Sequence, residues 1–582
     1  MTHICYIYIY SYRLLKNVGI TFDHNFVFQI EDGCLRIEKS DALPKDFFGN
    51  GVYSVSAIVG NNGAGKTSAL RFLMEAVVEG YRIQDMAGVI VYENSGKIFV
   101  YQTESQKNSR LRIESTMPYT EIRNLMSIPV MYYSGHFSPL YDRDDILASE
   151  LSGSYIASDQ WLLVHDLLNY SNYDSIYMVG RMASYIWAYR AQNNARICEL
   201  LMLDDIGELI RDLRLPRYIL IGYNDSGGEF LANDYRDKIA VQKFVNQSRD
   251  IKQNTIARLI YTNFINLIAE KRNESDIYLG LLDSWQKVPK SSDILNDLVA
   301  FANRKDVGET ERKMLLSVHY VLNKLVTICN YDDNSNVFYV EIEKGKDQLR
   351  ELIEEIFNSH FYLTSRFFDI YYSHGLYTNT VLSSGEQEML NLLSRLYFGI
   401  TLQPIRIGNR QSPALIILDE AEIGFHPEWQ RKYVNLLLQF LNTKMLVKPG
   451  VHFQLVITSH SPIILSDIPL CCVNILQKNE NQETEVRKGE SETFGENVFN
   501  LYCRAFVMKD GLVGAFASAK IKDLYDRIGE GDSSTATLRE VMMIGDERIK
   551  NYLLSEMSRH DKDFIDSYYQ RRLGNIVEDE EN

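Results

Sequence analysis

The sequence predicts an α/β fold in which a mixed or parallel sheet is flanked by helices, interrupted by a mainly α-helical insertion and followed by a helical C-terminal extension. Three observations carry this. The glycine-rich stretch GNNGAGKT at 60–67 stands between a β-branched run and an apolar-periodic helix. Two short apolar runs near the other end of the chain finish in Asp419-Glu420 and in Ser459-His460. Between loop and runs, apolar residues recur mostly at helical spacing.

The N-terminal MTHICYIYIYSYRLLKN places Ile4, Tyr6, Tyr8 and Tyr10 on alternate positions, as a strand does. It has neither the basic leader nor the small-residue cleavage site of a signal peptide. At 582 residues, two to four domains are expected. The composition, 45% hydrophobic and 24% charged, is ordinary for a soluble globular chain. No apolar run reaches the ~18 residues of a membrane span. A net charge of -16 argues against a surface that is nucleic-acid-binding throughout, while leaving room for a local basic channel. The seven cysteines show no C-x-x-C or Cys/His spacing, so neither a disulfide framework nor a zinc site is signalled and a reducing cytoplasm is expected.

The loop Gly60-Asn61-Asn62-Gly63-Ala64-Gly65-Lys66-Thr67 matches G-x-x-x-x-G-K-[ST] in full. The preceding run Val55–Val59 supplies a strand, and Ser68–Val77 supplies the helix. Gly60, Gly63 and Gly65 let backbone amides converge on an anion, and the helix N-terminus beginning near Ser68 adds partial positive charge there. Lys66 is placed to reach the β- and γ-phosphates, and the Thr67 hydroxyl to meet Mg²⁺. This pattern predicts a nucleoside triphosphate site, with ATP and Mg²⁺ as ligands.

From about 142 to 367 the chain reads as helices with strand-like interruptions. SDQWLLVHDLLNY and NTIARLIYTNFINLIAEK have helical spacing, while RYILIGYNDSGGEF and NVFYVEIEKG are strand candidates. No sustained heptad array marks a coiled-coil arm. The aromatic residues lie on apolar stripes and are expected in a core. Arg304-Lys305 and Arg312-Lys313, interleaved with acids, are expected on solvated surface.

VLSSGEQEML at 381–390 admits two readings. Ser383 with Glu386, or Ser384 with Gln387, has capping-box spacing for an ordinary helix start. The same stretch could form half of a nucleotide site completed by a second molecule. PALIILDEAEIGFHPEWQRKYVNLLLQFL then gives a strand ending in Asp419-Glu420, and a helix opened by His426-Pro427 with Glu428 in its first turn. FQLVITSHSPIILSD gives a second strand, ending at His460. Polar groups at the C-terminal ends of parallel strands sit where α/β sheets bind ligands. Asp419 is placed to hold Mg²⁺, Glu420 to accept a proton from an attacking water or orient it, and His460 to hydrogen-bond the γ-phosphate.

Taken together, the loop, LSSGEQ, the Asp-Glu strand and the Ser-His strand resemble ABC-type ATPase heads of the SMC, RecF and OLD-like branch. The resemblance implies an ABC-type P-loop NTPase head and a head-to-tail homodimer, with higher oligomers open. In such a dimer Ser383, Ser384, Gly385 and Glu386 serve the ATP held by the other copy. Ser384 stands where the family pattern has glycine. DEAEIGFHPEWQ and ITSHSPIIL are similar to OLD-like and to retron- or Septu-associated defence ATPases, with Ala421 where proline is usual. TFGENVFNLYCRAFVMKDGLVGAFASAKI and IGDERIKNYLL look like the C-terminal region of the Septu-type ATPases. His136 is a weak candidate for the phosphate-sensing loop of related heads, and SYRLLKNVGITF resembles their adenine-side strand and turn.

The resulting expectation is a head half at 1–136, a mainly helical insertion at 137–370, the second head half at 371–480 and a helical extension at 481–582. The function implied is an ATP-hydrolysing sensor and regulator of an anti-phage complex, controlling a separate HNH-type nuclease, with a reverse transcriptase and retron DNA as further partners. A DNA-repair ATPase acting as an ATP-gated clamp is the second reading, and a scaffold that binds ATP structurally the third. A Toprim nuclease would need acids on strand ends. The lone candidate, Asp561-Lys562-Asp563, reads as helix, so nuclease activity is expected in another polypeptide.

Overall fold

The computed structural model describes residues 2–135 except 62, 79–86 and 104–109; residues 155–156; 181–223 except 205 and 210–212; 250–358 except 271–274 and 290; 368–504 except 378–379, 403–413, 444–445, 447–451, 480–481, 488 and 490; and 513–560. Asn62, His136, the stretch 158–170 expected to be helical and Asp561-Lys562-Asp563 lie outside the described residues.

The strands run β1 (Thr2–Tyr12), β2 (Leu15–Thr21), β3 (Phe26–Glu31), β4 (Cys34–Lys39), β5 (Val52–Gly60), β6 (Ala87–Asn94), β7 (Lys97–Gln102), β8 (Arg112–Ser115), β9 (Tyr119–Ile122) and β10 (Val130–Ser134). They continue as β11 (Tyr155–Ile156), β12 (Tyr218–Tyr223), β13 (Asn330–Asp332), β14 (Val337–Glu341), β15 (Phe368–Ser373), β16 (Leu415–Asp419), β17 (Phe453–Ser459), β18 (Val473–Lys478) and β19 (Thr484–Arg487). Four helices matter below: α1 (Lys66–Val77), α2 (Arg181–Leu201), α3 (Ser384–Tyr397) and α4 (Pro427–Leu441).

A mixed sheet in the order β11-β10-β16-β17-β5-β18-β19-β2-β1-β6-β7-β9 forms the centre of the α/β fold. Its first six strands are mutually parallel. β16 and β17 are buried at every residue. A parallel strand covered on both faces needs such a continuous apolar run. One covering element is α1, whose Leu70, Phe72, Leu73 and Val77 share a core with Ile58, Ile417 and Val456. Each such fully buried side chain contributes roughly 2 kcal/mol of hydrophobic stabilisation.

The alternation expected in β1 holds only in part. Ile4, Ile7 and Ile9 face the α1 core, whereas Cys5, Tyr6, Tyr8 and Tyr10 pack with Phe26, Leu35 and Ile37 of the small β3-β4-β8 sheet. An irregularity in the pairing with β6 between Ile4 and Tyr6 shifts the phase, so Ile4 lies on the face opposite the tyrosines.

Two buried amides join the parallel strands to the N-terminal ones. Gln454 of β17 accepts from the Ile4 amide (3.0 Å) and donates to the carbonyls of Ile4 (2.7 Å) and Phe22 (3.1 Å). Asn474 of β18 accepts from the Thr21 amide (2.9 Å) and donates to the Thr21 carbonyl (2.8 Å).

Within 137–370 the described residues include α2 and the helices Ile251–Glu270, Ser275–Gln286, Ile294–Ala302 and Glu309–Ile328. The strand candidates at 218–223 and 337–341 join β13 and β15 in an antiparallel sheet ordered β13-β14-β12-β15. β15 spans residue 370, where the sequence reading ends the insertion. Trp285 is fully buried beside Phe301, as expected of a core aromatic. Arg304 pairs with Asp306 and Lys313 with Glu309 at the surface.

The β18–β19 hairpin carries the main sheet past residue 480, and the chain divides into compact units after Leu501. In the second unit the helices Ala515–Gly529, Thr535–Met542 and Glu547–His560 share a core of Leu524, Ile528, Leu538, Val541, Leu553, Leu554 and Met557. Among the described residues, no helix is long and apolar enough to cross a membrane.

Gln454→Leu strips partners from buried backbone groups of β1. A loss of about 2–4 kcal/mol is expected, read as a lowered urea midpoint with an unchanged slope.

Candidate functional site

The C-terminal ends of β16, β17 and β5 lie side by side, because their register pairs Asp419 with Thr458 and Ser459 with Val59. At the end of β5 the chain turns through Gly60, at φ 153°, where a Cβ would sit 2.1 Å from the Leu476 carbonyl oxygen of β18. Gly63 and Gly65 also have positive φ, and the Ala64 amide donates to the Asn61 carbonyl (3.1 Å). α1 then starts at Lys66 with no capping side chain and no acid in its first turn. Its N-terminal amides, including those of Thr67 and Ser68, are donors suited to an anion. Thr67 is exposed and Ser68 half-buried.

Lys66 is buried. Its ammonium donates to the Gly60 carbonyl (3.2 Å), lies 2.5 Å from His460 Nε2 and is 3.5 Å from Glu420 Oε1. His460 Nε2 is in turn 3.0 Å from Glu420 Oε1. One ring nitrogen cannot serve both neighbours at once: it accepts from Lys66 with the proton on Nδ1, or donates to Glu420. Burial lowers the proton affinity of Lys66, and the Glu420 carboxylate opposes that.

Consecutive side chains of a regular strand point to opposite faces. Glu420 escapes this because its backbone is left-handed (φ 49°), held by its amide donating to the Thr458 carbonyl (3.2 Å) and hydroxyl (3.0 Å). Such a conformation at a non-glycine residue costs on the order of 1 kcal/mol. Asp419 is fixed separately: Thr458 donates to Oδ1 (2.5 Å) and Tyr132 of β10 to Oδ2 (2.7 Å). A hydroxyl at Thr67 and a carboxylate at Asp419 are the hard-oxygen donor set that Mg²⁺ takes alongside phosphate and water.

Ser459 and Ser461, on either side of His460, are both anchored. Ser459 donates to Glu422 Oε1 (2.5 Å) and accepts from the Ser461 amide (2.8 Å). Ser461 caps the short helix Pro462–Leu465 and donates to Gln430 of α4 (2.7 Å). α4 opens as expected, with His426 as N-cap, Pro427 in first position and Glu428 paired to Arg431 (2.7 Å). Sequence reasoning did not assign Tyr132, Thr458, Glu422 or Gln430. The second acid of DEAE and the glutamine after His-Pro were the available signals for the last two.

Ser383, Ser384, Gly385 and Glu386 form a separate cluster. Ser383 is the N-cap of α3 and makes the full capping box with Glu386, whose Oε2 accepts from the Ser383 amide and hydroxyl (both 2.8 Å). His374 reaches the other Glu386 oxygen at 3.4 Å. Burial raises the Glu386 proton affinity, but these hydrogen bonds outweigh it and hold the carboxyl below its usual range. Gly385 lies under the Trp429 ring of α4, and a Cβ there would be 2.3 Å from Cδ1. Ser383 and Ser384 are exposed. The structure thus brings Lys66, Glu420 and His460 into contact, with Asp419 beside them, and places the Ser383–Glu386 cluster against His374 and Trp429.

The family model for the AAA ATPase domain matches residues 3–465. That span takes in the phosphate loop, the Ser383–Glu386 cluster, both strand-end acids and His460.

Gly385→Ala is expected to cost about 1–3 kcal/mol by overpacking and to shift tryptophan emission. Trp429→Leu in the same chain should return most of the lost thermal stability. Absence of that rescue would remove the steric account of Gly385.

Proposed function

We propose that this chain, which belongs to the AAA ATPase domain family, binds and hydrolyses ATP to control a separate nuclease effector in a bacterial anti-phage complex. The observation that carries the catalytic part is the meeting of Lys66, Glu420 and His460 at the C-terminal edge of the parallel strands.

The α1 amides and Lys66 bind the phosphates, and His460 hydrogen-bonds the terminal one. Glu420 accepts a proton from, or orients, the attacking water. Mg²⁺, held by Thr67 and Asp419, would neutralise charge on the phosphate oxygens. A phosphate arriving at Lys66 takes over its positive charge and frees Glu420 from the 3.5 Å ion pair.

The exposed Ser383 and Ser384 at the start of a 14-residue helix support a head-to-tail dimer, in which α3 of one copy meets the nucleotide of the other. An incoming phosphate must compete with Glu386 for the Ser383 hydroxyl. Support for the defence role, the HNH-type nuclease and the reverse transcriptase with its retron DNA comes from the likeness of residues 419–430 and of the C-terminal segments to Septu- and retron-associated ATPases.

Glu420→Gln should lower turnover ~10²-fold while ATP binding persists, as loss of general-base assistance requires. Lys66→Ala and Ser383→Arg chains, each inactive alone, should regain turnover when mixed; failure to do so would sink the trans dimer. Native mass spectrometry of the complex from its own host should show the added mass of a nuclease. A bare dimer that binds DNA in a salt-dependent way would instead favour the clamp reading.

A further inference from the structure

We infer that Glu422 is a positioning residue, fixing His460 in register with the nucleotide so that hydrolysis can proceed. The inference rests on the ATPase reading and adds to it a residue outside the loop, the strand-end acids and the histidine.

Glu422 lies in the tight turn after β16, where the Ile423 amide donates to the Glu420 carbonyl (3.1 Å) and the Phe425 amide to the Glu422 carbonyl (3.0 Å). Only 4% of it is exposed. Its Oε1 reaches across to β17, accepting from the Ser459 hydroxyl (2.5 Å) and from the amide of His460 itself (3.3 Å). On the far side of the histidine, Ser461 donates to Gln430 of α4 (2.7 Å). His460 is therefore clamped from both directions by side chains from the β16 turn and from α4.

Among the described residues, neither the buried Glu422 Oε2 nor the hydroxyl of Tyr433 on α4 meets a hydrogen-bond partner. The groups that act on Glu422 are Ser459 and His460 from the end of β17, and Glu420 from the end of β16. Glu422 in turn acts on Lys66 at the start of α1 and on Tyr433 of α4. Burial raises its proton affinity and the neighbouring Glu420 charge adds to that, against the hydrogen bonds from Ser459 and His460. Glutamine reproduces the accepting oxygen without a charge. Aspartate keeps the acid but is one methylene short of the strand end.

The test is steady-state hydrolysis of Mg·ATP by the full chain, with ATP and ADP affinities measured alongside. Glu422→Gln should keep kcat within about threefold of the parent, while Glu422→Ala and Glu422→Asp lower it by about tenfold or more and raise KM for ATP. The same two variants should lose the preference for ATP over ADP, which reads His460 placement even where turnover is slow. A Gln variant as impaired as the Ala variant overturns the inference, as does an Ala variant with full kcat and full ATP preference. A parent chain that binds no nucleotide overturns the ATPase reading itself, a result distinct from any pattern among the variants.

Discussion

Lys66 is a cation held out of water, and the arrangement of the site follows from supplying it with partners. Only about 5% of its side chain is exposed, so its charge depends on the Gly60 carbonyl, Glu420 and His460. These come from three strand ends that share one sheet edge because β16, β17 and β5 are parallel and in register. A one-residue slip in any of them would turn its buried side chains to the other face and leave the lysine unpaired. The cost of a wrong register therefore falls on a buried charge as well as on apolar packing.

The same arrangement gives the site an internal balance. Glu420 is paired with the buried Lys66 ammonium, so the group proposed to act on water is already engaged. A terminal phosphate is a better partner for Lys66 than one carboxylate, since it offers several oxygens to the ammonium and to the α1 amides. Binding and freeing of the proposed base are then one exchange of ion pairs. The left-handed backbone at Glu420 fits this, because it aims the side chain at the phosphate loop and leaves Asp419 to Thr458 and Tyr132.

Much of this was legible where the signal is local. A loop that must turn through glycines and begin a helix writes its requirements into eight consecutive residues. Buried parallel strands read as unbroken apolar runs. What escaped depends on contacts distant in sequence. The phase of β1 is changed by its pairing with β6, and β12, β13, β14 and β15 become a sheet only when brought together across some 150 residues of chain. Gln454 and Asn474 look like interruptions of apolar strands until the backbone of β1 and β2 is laid beside them. Glu422 sits two residues past the acid that drew attention, and its role needs β17 to be in place.

The Ser383–Glu386 segment shows how one motif divides between folding and function. Gly385 has a sufficient reason within the chain, since Trp429 occupies the space a Cβ would need. Glu386 has one too: it closes the capping box and meets His374. Neither residue, by being what it is, argues for a second molecule. Ser383 has a reason within the chain as well, as the N-cap of that same box, while Ser384 stands exposed at the first helical position. Serine at 384 in place of glycine is compatible with that division, as the close packing in this segment falls on Gly385. The part of the segment accounted for within the chain is thus Gly385 against α4 together with the Ser383–Glu386 capping box, and what remains at the exposed helix start is the Ser384 side chain.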